Sequence, residues 1–87
     1  MASSFQSKEI KRLKSEGWLV LKTIRLNESG FPDIFAFKNG VTMFEETKQG
    51  SDTLKPLQKL RIDQLIAQGF DAKCVHETKG QIYPPLP

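Results

Sequence analysis

The chain has 87 residues, 38% of them apolar, with 13 Lys and Arg against 10 Asp and Glu for a net charge of +3. That length points to one domain, and no apolar run approaches the roughly 20 residues needed to span a bilayer. One cysteine, Cys74, and one histidine, His76, exclude an intramolecular disulfide and any zinc cage built from Cys or His.

The opening "MASSFQSKEIKRLK" has no apolar core of the kind a signal peptide carries, so a cytoplasmic protein is expected. Residues 4–16 read as a helix, with Ser4 an N-cap and Gly17 a stop. On a helical wheel Phe5, Ile10 and Leu13 share one arc, and Lys8, Lys11, Arg12 and Lys14 fall outside it. Gln6 and Glu9 fall inside the apolar arc, and a carboxylate in that position needs a partner or a metal.

Residues 18–26, "WLVLKTIRL", are rich in branched and bulky side chains and predict a strand. After a loop at 27–30, residues 33–38 predict a second strand, Asn39-Gly40 a two-residue hairpin turn, and residues 41–48 the returning strand. "QGSD" breaks it, and Ser51 or Asp52 can cap a helix over 53–68, with Pro56 tolerated in the first turn. In that helix Leu54, Ile62 and Leu65 form one stripe that also contains Gln58, while Leu57, Leu60 and Ile66 lie outside it and hint at a second buried face. Gly69 ends the helix, residues 71–77 predict a last short strand, and 78–87 an extended C-terminal tail on the surface or a disordered end. The whole of 1–87 then reads as a single α/β domain of order αβββαβ, a mixed sheet flanked by helices. Cys74 falls in the last strand and reads as a buried small hydrophobe.

Three carboxylates and a lysine stand in the most strand-like part of the chain: Asp33, Glu45, Glu46 and Lys48. In a paired hairpin, Asp33 at the start of one strand and Glu46 to Lys48 at the end of the next reach the same end of the sheet. Alternation points Glu46 and Lys48 to one face and Glu45 to the other. Asp33 and Glu46 can offer hard oxygen ligands to Mg²⁺, which acidifies water, and Lys48 can position that water or stabilise charge on a phosphate. By spacing alone, a surface ion pair between Glu46 and Lys48 on an edge strand accounts for the same tripeptide.

The ordered set "SGFPD", "EETK" and "PLQ" resembles the PD-(D/E)XK nuclease superfamily, and within it the VRR-NUC domain family, especially its short stand-alone versions from phages and bacteria. The resemblance spans roughly residues 5–77. It implies a nuclease core with Asp33 and Glu46 as metal ligands, the Thr47 carbonyl as a third ligand, Lys48 as the catalytic lysine and Gln58 close to the active site. It also implies a first-helix glutamate at the metal. Counting back from Gly17 that place falls nearest Gln6, whereas the acid present is Glu9; both lie on the inward arc, and Glu9 is the expected residue. The Val-Arg-Arg run that names the family is here "VHE", Val75-His76-Glu77.

The function so implied is a Mg²⁺- or Mn²⁺-dependent DNA endonuclease, resembling resolvases that cut branched DNA, four-way (Holliday) junctions included, as homodimers. A flap, nick or general duplex nuclease is the alternative within that class, and a non-catalytic nucleic-acid-binding protein the alternative outside it. DNA and a second copy are the expected partners, with no membrane and no small-molecule cofactor.

Overall fold

The structure, a computed structural model, describes residues 4–87. The elements run α1 (Ser4–Ser15), β1 (Leu19–Lys22), β2 (Ile34–Lys38), β3 (Val41–Lys48), α2 (Pro56–Ala67), β4 (Asp71–His76) and β5 (Gly80–Tyr83). Asn39 and Gly40 take positive φ, 50° and 78°, as two-residue hairpin turns require. That reversal sets Lys38 against Val41 and Ile34 against Glu45. The sheet order is β1-β2-β3-β4-β5, antiparallel except for the parallel β3–β4 pair that the crossover through α2 produces. It is an α/β fold with a mixed sheet and a helix on each face, consistent with a PD-(D/E)XK-like core.

Alternation along β3 divides the core in two. Met43 joins Leu13, Val20, Ile34 and Ala36 beneath α1, and Phe44 joins Ile62, Ala72 and Cys74 beneath α2. Ile34, Ala36, Ile62 and Cys74 are wholly excluded from solvent. Burial pushes the Cys74 thiol up to about 12, so it serves as a small apolar group.

Three boundaries depart from the sequence reading. The strand expected over 18–26 stops at Lys22, because β2 starts only at Ile34. Asp33 O takes one more bond, from Thr23 N–H at 2.8 Å, and the next partner residue, Pro32, has no N–H to give. The second helix starts at Pro56 rather than residue 53. A residue before proline is pushed out of the helical region, and Lys55 is extended, at φ −84° and ψ 154°. Residues 80–83 are not part of a tail but a fifth strand, paired antiparallel with β4. Gly80, at φ 72°, allows the reversal after "ETK", and Pro84-Pro85 ends the strand.

The loop that leads to Asp33 is pinned to α2. A Cβ on Gly30 would lie 2.7 Å from Leu57 Cγ, so only glycine permits that approach. Arg61 donates to Ser29 O at 2.9 Å and stacks on Phe31, 4.8 Å from its ring centroid. Among the described residues no helix is long and apolar enough to cross a membrane.

Candidate active site

The residues of interest lie where β2 begins and β3 ends. Since Ile34 faces Glu45, Asp33 stands across from Glu46. Its carboxylate is held on two sides. Oδ1 accepts from Thr47 N–H at 3.3 Å, and Oδ2 accepts from the Thr47 hydroxyl at 3.0 Å and from the Gln6 amide. Desolvation raises the Asp33 pKa from its ordinary value, against these hydrogen bonds, which lower it.

Glu46 is 7% exposed and Lys48 is 4% exposed. Lys48 Nζ lies 3.6 Å from Glu46 Oε2 and 3.5 Å from Asp52 Oδ2. Gln58, on the first turn of α2, donates to Glu46 Oε2 at 3.5 Å and accepts from Lys55 N–H at 2.9 Å. Gln58 therefore turns inward, as its place in the apolar stripe predicts. Burial, and then the charge of Asp33, push the Glu46 carboxyl up to about 7, with Lys48 pulling the other way.

Asp33, Glu46, Thr47, Lys48 and Gln58 thus come together in one place. Glu9 does not join them. Its carboxylate is forked by Arg12 at 2.9 and 3.0 Å and sits beside Glu45, on the α1 face of the sheet. The first-helix residue on Asp33 is Gln6, whereas Glu9, the one expected at the metal, pairs with Arg12. The cause is axial offset. Gln49, just past β3, accepts from Phe5 N–H at 3.2 Å and from Ser4 Oγ at 3.4 Å. This places the first turn of α1 at the end of β3. Three residues further along, at ~1.5 Å per residue, the helix has moved back beside Glu45.

Glu45 is 2% exposed. Burial, and then the neighbouring Glu9, push its carboxyl up to about 8, while Arg12 and Lys73 oppose the shift. It belongs to the packing under α1, as its position outside the motif suggests.

Sequence reasoning missed two participants. Asp52 reaches Lys48 because residues 53–55 stay outside the helix and the turn folds back; its i,i+4 spacing was the available signal. His76 faces Lys48 in the β3–β4 register and its ring contacts Gly50 O at 2.9 Å.

The donor set suits a hard divalent cation. Two half-to-fully buried carboxylates face each other, both with raised pKa, and Lys48 pairs with one of them. A cation between the two carboxylates would offset the burial that raises both values and, for Glu46, the added charge of Asp33. Among the described residues no group of three or more His, Cys, Asp or Glu has metal-holding geometry. Further donors would come from a backbone carbonyl, water or phosphate, as Mg²⁺ commonly accepts.

The family model of the VRR-NUC domain matches residues 2–78 of the chain. Comparison with curated proteins gives no match.

Proposed function

The chain belongs to the VRR-NUC family, a nuclease-type domain, and from that premise we propose a divalent-cation-dependent DNA endonuclease that selects branched DNA. The observation that carries this reading is the convergence of Asp33, Glu46 and Lys48 at one sheet end, with Gln58 on Glu46. Asp33 and Glu46 would hold Mg²⁺ or Mn²⁺, with the Thr47 carbonyl as a third donor. When bound, the cation supplies charge neutralisation at a phosphate oxygen and acidity to water. Lys48 places its Nζ 3.6 Å from Glu46 Oε2, where it can donate to a phosphate oxygen or to the attacking water. Gln58 orients the Glu46 carboxylate, and Thr47 and Gln6 orient that of Asp33.

Selection by shape and a homodimeric state belong to the same proposal. Phosphate contacts carry no sequence information, so selection would rest on the shape of the DNA. On α2, Leu57, Leu60 and Ile66 are 41%, 48% and 41% exposed, which supports a second copy packed on that helix. Two sites related by a twofold axis match the symmetry of a four-way junction.

The test is cleavage of labelled duplex, flap and four-way junction with and without Mg²⁺ or Mn²⁺, alongside mass by light scattering. Junction cleavage that needs the cation, and a mass of a dimer, are expected. Glu46→Gln should lower turnover by about 100-fold or more. Binding without cleavage under every cation would favour a non-catalytic nucleic-acid-binding protein, and equal rates on duplex and junction a general nuclease.

A further inference from the structure

The segment Val75-His76-Glu77 has no task in the mechanism above, yet His76 is 5% exposed and faces Lys48 across the parallel β3–β4 pair. Both ring nitrogens are engaged. Thr78 N–H donates to Nδ1 at 3.2 Å, so in the neutral ring the proton resides on Nε2, which donates to Gly50 O at 2.9 Å. Glu77 adds two contacts: its N–H donates to Lys48 O at 3.0 Å, and its carboxylate accepts from Gly50 N–H at 3.1 Å. Gly50, at φ 60°, therefore has both backbone groups taken by neighbours from the β4 end.

Gly50 lies in the turn that follows Lys48, closed by Asp52 N–H donating to Gln49 O at 3.1 Å. That turn carries two side chains on which the site depends. Asp52 reaches Lys48 Nζ at 3.5 Å, although its own side chain is 52% exposed. A half-exposed carboxylate gains little from an ion pair by itself, so its backbone must hold it there. Gln49 caps α1, whose Gln6 contacts Asp33.

We propose that His76 is a positioning residue for Lys48, fixing the turn of residues 49–52 and through Asp52 the place of the lysine ammonium. The inference rests on the nuclease reading of Lys48. Without the ring, Gly50 O loses its donor, the turn loosens, and Lys48 loses its second carboxylate partner. Asp33 and Glu46 keep their strand positions, so the effect falls on turnover rather than on cation binding.

The test uses the full-length chain, Mg²⁺ or Mn²⁺, and whichever labelled DNA the wild type cuts. His76→Ala is expected to lower kcat by about 10- to 100-fold, the scale of a small misplacement of a catalytic group. KM and Mn²⁺ affinity should stay within about 2-fold. Amide exchange at Gly50 and Asp52 should quicken. His76→Gln, which offers an acceptor and a donor on one side chain, should recover most of the rate and the protection. Folded His76→Ala with wild-type kcat and unchanged Gly50 exchange overturns the inference, and so does a loss carried wholly by Mn²⁺ affinity. If His76→Ala does not fold, Glu77→Ala releases Gly50 N–H from an exposed side chain and should lower kcat in the same direction; a wild-type rate there also overturns it. A wild type that cuts no DNA with either cation defeats the nuclease reading itself, a result separable from cleavage that His76→Ala leaves intact.

Discussion

Asp33 and Thr47 are joined twice: the carboxylate of one takes both the backbone N–H, at 3.3 Å, and the hydroxyl, at 3.0 Å, of the other. Thr47 stands between Glu46 and Lys48, so this pair locks the acid at the start of β2 to the motif at the end of β3. Thr47→Val keeps the strand and the N–H bond but removes the hydroxyl. A hydrogen bond to a charged group contributes about 1.5–3 kcal/mol. Calorimetric titration with Mn²⁺ should then show affinity reduced by roughly tenfold, and the melting temperature should fall by several degrees or more.

Gln6 and Glu9 should separate cleanly. Gln6→Leu keeps the helix and its bulk but withdraws the amide from Asp33, and kcat/KM on cleaved DNA should fall by about tenfold. Glu9→Gln breaks the fork with Arg12 and should leave kcat/KM within about 2-fold. The reverse ranking would return the first-helix role to Glu9.

Cation affinity should rise with pH. The Glu46 carboxyl titrates at about 7 before any cation arrives, and a cation must displace that proton. Below that value affinity should fall by about tenfold per pH unit, and above it should level off. Titration with Mn²⁺ across that range, in buffers of different ionisation enthalpy, reads both the slope and the proton released.

Glu45 should limit stability at high pH. Its carboxyl is raised from 4.5 to about 8. A raised carboxyl favours the folded state fully below its unfolded value, and that contribution is lost as pH rises through the folded value. Wild type should therefore lose stability as pH climbs from about 4.5 to about 8, and level off above that. Glu45→Gln removes the ionisation, so its melting temperature should exceed wild type by a few degrees at about pH 9, with no advantage at about pH 5. Thermal melts at the two pH values decide it.

Much of the site was legible because its logic is local. Asn39-Gly40 fixes the hairpin, and the hairpin brings Asp33 level with Glu46. The period of two then sets Glu46 and Lys48 on the α2 face and Glu45 on the other. Gln58, inward by helical phase, needed only the stripe of Leu54, Ile62 and Leu65. What remained undecided depended on distance along the elements rather than on which face a residue occupies. Helical phase puts Gln6 and Glu9 on the same arc. Choosing between them required the offset of α1 against β3, which Gln49 sets through a bond to Phe5 spanning 44 positions. The β5 pairing, the Asp52–Lys48 contact and the ring of His76 on Gly50 have the same origin. Each joins segments whose own patterns are satisfied without the other, so only the packed chain selects the register at which their polar groups meet.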